Sequence, residues 1–148
     1  MIRKLEAEDL DSVMRLWLEC NLEAHDFIDS RYWKENESGV REAVLKAEVY
    51  VEQAGDEIRG FIGLDGSYIC GLFVDKRYRG RWIGRRLIAY AKKKNKELTL
   101  HVYEKNPSAV RFYEKEKFKV VEIKKDETLG ELEYKMQWKN SEKEAKNK

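Results

Sequence analysis

Hydrophobic positions along the chain follow two periods. Residues 2–5 read as a short strand. Asp9 then stands as an N-cap before Leu10, Val13, Met14, Trp17 and Leu18, whose helical spacing predicts a helix ending near Leu22. In residues 30–46 Tyr32, Trp33, Val40, Val44 and Leu45 repeat that period more weakly, and Gly39 predicts a break or bend. Next, residues 49–53 and 58–64 flank the turn-forming Ala54-Gly55-Asp56-Glu57, which predicts an antiparallel hairpin.

A second turn at Asp65-Gly66-Ser67 leads into Tyr68–Val74, almost wholly apolar as a central buried strand is. Gly71 inside it marks a bulge or a close approach by a ligand. A basic loop over residues 75–82 opens a helix from Ile83 to Lys94, with Leu87, Ile88 and Ala91 on its apolar face. A strand over 98–103 follows, then Asn106-Pro107 and a short helix over 108–117 that carries Val110, Phe112 and Tyr113. Residues 118–125 and 131–138 read as two closing strands. Strands alternating with helices in the second half predict a mixed sheet covered on both faces, an α/β (α+β) arrangement.

The chain of 148 residues, 42% of them hydrophobic, can bury one core but not two, so residues 1–138 are expected to form a single domain. Residues 139–148 are charged and nearly free of apolar side chains, which predicts a disordered tail. No apolar run approaches the roughly 20 residues of a membrane span, and a cytoplasmic protein without a membrane partner is expected. The 30 basic residues almost cancel the 28 acidic ones, so a formal charge of +2 supplies no broad field for nucleic acid as a primary partner. Cys20 and Cys70 have neither metal-ligand nor redox spacing; both read as core thiols, with no metal expected.

The segment joining Val74 to the helix at Ile83 has the most chemical content. A strand, a basic loop and a helix start leave backbone N–H groups free where the helix dipole favours negative charge. Gly80 and Gly84 would let an anion reach the backbone, and Arg79, Arg81 and Arg85 could neutralise it. These residues resemble the pyrophosphate loop of the GNAT superfamily of N-acetyltransferases, with Arg79 in its first place and Gly84 in its last. Trp82 stands where the family pattern has a glycine, and its ring must turn out of the loop to leave room, where it could shield the phosphates or cover the adenine. Downstream, Asn106, Ala109, Phe112, Tyr113 and Phe118 are similar to a second family series, and Lys117 takes the place of a glycine that ends the helix in a left-handed turn. Leu16-Trp17-Leu18-Glu19, His25-Asp26-Phe27-Ile28 and Tyr32-Trp33 are similar to stretches of small bacterial members.

The resemblance implies the GNAT fold, a mixed, mostly antiparallel central sheet of about seven strands flanked by about four helices. It implies acetyl-CoA as cosubstrate, with no metal, and an amine acceptor: a small molecule, a protein lysine or a protein N-terminus. Leu72, Phe73, Val74, Arg79, Gly80, Arg81, Trp82, Ile83, Gly84, Arg85, Asn106, Ala109, Phe112 and Tyr113 are then expected to bind the cofactor, with a backbone N–H of Phe73 or Val74 polarising the thioester carbonyl. Tyr113 matches the acid that protonates the leaving thiolate. His101 and His25 are the candidate bases, since imidazole titrates near neutrality. Glu23 and Asp26 could attract a cationic acceptor. A non-catalytic acyl-CoA sensor would need the pyrophosphate loop without Tyr113. The chain is expected to work as a monomer or homodimer.

Overall fold

The computed structural model of the protein describes residues 1–140. Its elements run β1 (Ile2–Lys4), α1 (Leu10–Ala24), α2 (Ser30–Lys46), β2 (Glu48–Ala54), β3 (Glu57–Asp65), β4 (Tyr68–Val74), α3 (Ile83–Lys94), β5 (Glu97–Tyr103), α4 (Pro107–Lys115), β6 (Lys119–Lys125) and β7 (Leu132–Lys139). The seven strands form one sheet in the order β1-β2-β3-β4-β5-β7-β6, antiparallel at every pair except β4 with β5. The mixed sheet with four helices is therefore what the chain builds among the described residues. No helix among these residues is long and apolar enough to cross a membrane.

Strand alternation divides the core in two. Tyr50, Ile62, Leu98, Leu100 and Met136 face α3 and α4, where Leu87, Ile88, Ala91 and Tyr113 meet them. Val49, Val51 and Phe61 face the other way, onto Val13, Leu16 and Trp17 of α1 and Trp33 and Val44 of α2. Each fully buried aliphatic side chain contributes about 1.5–3 kcal/mol. One ion pair fixes α3 further: Arg86 sets its guanidinium on the buried Glu52 of β2 at 2.6 and 2.7 Å.

The feature that makes a site possible is the way β4 leaves β5. The two strands share one register pair, Tyr68 with Thr99. In β4 the register with β3 then slips, Leu64 facing Ile69 and Gly63 facing Gly71, so that Cys70 is the extra residue of a bulge. Beyond it the outer edge of β4 has no strand partner among the described residues.

Several local expectations change. Asp9 precedes α1, but its carboxylate does not cap the helix; it accepts the Arg3 guanidinium at 2.7 and 2.9 Å and the Glu6 N–H at 2.8 Å. α2 runs unbroken through Gly39, because its Asp29 cap and the packing of Trp33 and Val44 outweigh one glycine. α4 ends at Lys115, earlier than Lys117, and Lys117 itself turns left-handed at φ 74°. Cys20 is buried, but Cys70 is exposed, because the bulge sets it where β4 and β5 part. Lys139 belongs to β7 and Asn140 donates its N–H to the Lys96 carbonyl at 2.8 Å, so the expected tail does not begin at 139; its residues 141–148 lie outside the described residues.

Candidate active site

A cleft of about 1220 Å³ opens where β4 and β5 separate. The end of β4 forms its floor. Asp75 donates its N–H to the Arg59 carbonyl of β3 at 2.9 Å, so strand alternation turns the N–H groups of Val74 and Leu72 the other way, toward the cleft. The Val74 carbonyl agrees with that orientation, accepting from the Cys20 thiol and from Arg79 Nη2, each at 3.4 Å. Of the two backbone groups anticipated for the carbonyl, Val74 faces the open edge and Phe73 faces β3.

One wall is the start of α3. Gly80 at φ 83° and Trp82 at φ 70° swing the chain into the helix, whose N-cap Trp82 offers no side-chain cap. The first helical bond runs from the Arg86 N–H to the Trp82 carbonyl at 2.9 Å, leaving the N–H groups of the first turn ahead of it without helical acceptors. Gly84 brings this wall against α4: a Cβ there would lie 3.3 Å from the Phe112 ring. The Trp82 indole is 62% exposed, turned out of the loop, with the Arg85 guanidinium 4.9 Å from its ring centre.

The opposite wall is α4. Asn106 caps it, Oδ1 accepting the Ala109 N–H at 3.4 Å, and Pro107 fills the first turn, where a missing N–H is harmless. Tyr113 is buried edge-on between Phe112 and Phe118, with centroids 5.2 and 5.5 Å away, and burial pushes its phenol well above the usual range. It stays protonated at neutral pH.

The two histidines occupy different surroundings. His101, on β5, lines the cleft with Nδ1 2.8 Å from the Tyr68 hydroxyl. His25, where α1 ends, stacks on Trp33 at 5.2 Å and meets Phe27 and Tyr103 edge-on at 5.7 and 5.3 Å. Its Nε2 lies 3.4 Å from Asn106 Nδ2, and its Nδ1 is buried without a hydrogen-bond partner among the described residues. Desolvation lowers its pKa below 6.5, so the ring is neutral.

Leu72, Phe73, Val74, Arg79, Gly80, Trp82, Ile83, Gly84, Arg85, Asn106, Ala109, Phe112, Tyr113, His101 and His25 all line the cleft. Arg81 does not; its side chain lies by Tyr78, 5.6 Å from the ring centre. Glu23 is ion-paired with Arg79, so a cationic acceptor and the diphosphate would each draw on one half of that pair. Sequence reasoning overlooked Tyr68 and Tyr103, since their partners are distant in the chain: Tyr68 and His101 are 33 positions apart.

Residues 23–139 match the family described as the acetyltransferase (GNAT) domain. The chain belongs to the GNAT acetyltransferase family. Among GNAT proteins, it is 33% identical over 131 residues to the Escherichia coli peptidyl-lysine N-acetyltransferase YiaC, covering 86% of this chain and 90% of that protein. It is 34% identical over 130 residues to the peptidyl-lysine N-acetyltransferase YjaB of the same organism, covering 87% and 88%. The solution structure of the apo form of E. coli YjaB superposes with a TM-score of 0.83 at 30% identity, over 93% of this chain and 96% of that one.

As a GNAT enzyme the protein is an N-acetyltransferase that takes its acetyl group from acetyl-CoA, and the cleft suits that donor. The uncapped start of α3 offers N–H groups and dipole to a diphosphate. Gly84 keeps the passage beside it free of a side chain, and the bare edge of β4 can pair with amide-bearing pantetheine as a missing strand would. Among the described residues no group of histidine, cysteine and carboxylate side chains could hold a metal ion.

Proposed function

We propose that the protein acetylates a lysine side chain of a protein substrate, by direct attack of the amine on acetyl-CoA with both substrates bound. The observation that carries this reading is the open end of β4, with the Val74 N–H and Tyr113 lining one cleft. The diphosphate sits on the first turn of α3, met by Arg79 and Arg85, and the pantetheine arm runs along β4. The Val74 N–H then polarises the thioester oxygen; a donor aimed at developing negative charge is worth roughly 3 kcal/mol of barrier.

The lysine nitrogen forms its bond to the acetyl carbon, and the carbon–sulfur bond breaks as the tetrahedral intermediate collapses. His101 accepts the proton that the amine gives up, directly or through water. Tyr113 donates a proton to the departing sulfur, which suits a phenol kept protonated by burial facing a thiolate whose parent pKa is about 8.5. His25 has the weaker claim as base, since its packed ring offers one nitrogen to Asn106 and buries the other. The lysine acceptor is favoured by likeness to two peptidyl-lysine N-acetyltransferases. The reading includes a cytoplasmic site of action.

Coenzyme A release should be measured with lysine peptides, N-terminal peptides and polyamines, with Tyr113→Phe as control. Faster turnover of lysine peptides, cut sharply by Tyr113→Phe, supports the assignment. Release with polyamines alone would move the acceptor class, and tight acetyl-CoA binding without turnover on any amine would make the chain a sensor.

A further inference from the structure

Tyr68 sits at the one point where β4 and β5 remain paired, and its hydroxyl reaches His101 Nδ1 at 2.8 Å. The imidazole has two nitrogens, and only one lone pair can serve as base in the neutral ring. If Nδ1 carries the hydrogen and donates it to the Tyr68 oxygen, the lone pair is left on Nε2; the opposite tautomer would put it against Tyr68, away from any substrate. We propose that Tyr68 is a positioning residue that holds His101 in the tautomer and orientation needed for proton acceptance. This rests on His101 being the base in the reading above.

Two observations fit that direction of the bond. First, Tyr68 is half-buried and its phenol is pushed above the usual range by burial and by the charges of Cys70 and Glu133, so it keeps its hydrogen in the working pH range. Second, His101 lines the cleft and Tyr68 does not, so the nitrogen held at Tyr68 is turned from the substrate and Nε2 is the one left to face it. The ionisable groups around the pair are Lys135, directly across β7 from His101, Cys70 and Glu133 near Tyr68, and Tyr103 two residues along β5.

The test is the pH dependence of kcat/KM for coenzyme A release from the whole protein, for wild type, Tyr68→Phe, His101→Gln and the double variant. Wild type should show an acid limb that His101→Gln abolishes. Tyr68→Phe should move the midpoint of that limb to lower pH and lower kcat by roughly 3- to 10-fold, with the KM for acetyl-CoA unchanged. In the His101→Gln background the same substitution should change nothing further. If His101→Gln leaves the limb intact, the base assignment itself fails. If His101→Gln removes the limb while Tyr68→Phe alters neither its midpoint nor its height, or lowers the rate equally in both backgrounds, His101 stands and the role given to Tyr68 is overturned.

Discussion

Trp82 and Lys117 hold left-handed backbone conformations at φ 70° and 74° without being glycine, which costs a residue with a Cβ about 1–2 kcal/mol. At Lys117, where the side chain is exposed, the conformation serves only to end α4, so Lys117→Gly should raise unfolding stability by about 1 kcal/mol, read from the urea midpoint. At Trp82 the indole makes its own contact with Arg85, so Trp82→Gly should gain less. Tyr113→Phe should lower kcat by roughly 100-fold while acetyl-CoA affinity, measured by calorimetry, changes little. Both left-handed positions were legible as places where a family glycine is missing. Cys70 was only half legible: Gly71 beside it marks a bulge or a ligand's approach, but the apolar run predicts burial, and the exposure follows from the parting of β4 and β5.

Helices and strands were readable because their apolar periods are strong, and most predicted boundaries fall within a few residues of those observed. Contacts between elements were not, because the residues that make them are far apart in the chain. The end of α1 shows this: Glu23 reaches Arg79, 56 positions on, and His25 reaches Asn106, 81 positions on, so one helix end touches both walls of the cleft. The seat of α3 depends on a similar close approach. A Cβ on Gly60 would lie 2.9 Å from Ile83 Cγ2 and 3.0 Å from the Phe73 carbonyl oxygen, at the first residue of the helix. Gly60→Ala should therefore lift the start of α3 from the sheet, lowering stability by about 1–3 kcal/mol in denaturant titration and weakening acetyl-CoA binding.

Across the whole molecule, acid should weaken the fold in two stages. His25 is held neutral by burial, with a folded pKa below its ordinary 6.5. Its contribution is fully present above that value and is lost as the pH falls toward the folded pKa, because the unfolded chain takes up the proton first. Urea unfolding at about pH 7.5 and about pH 5.5 should show a smaller difference for His25→Gln than for wild type. Asp9 and Asp75, held below the usual carboxylate range by Arg3 and Arg77, act at lower pH; their stabilisation is present above 3.8 and disappears as the pH drops through their folded values.

The parting of β4 from β5 makes the sheet two panels, β1 to β4 and β5 to β6, joined edge to edge at a single pair of residues. A donor molecule laid along that seam would lend its own amides to both panels and act as a splint across them. Amide hydrogens far from the cleft, in β2 as well as in β7, would then exchange more slowly once it is bound, so that the protein stiffens as a unit when it is loaded and relaxes when coenzyme A departs.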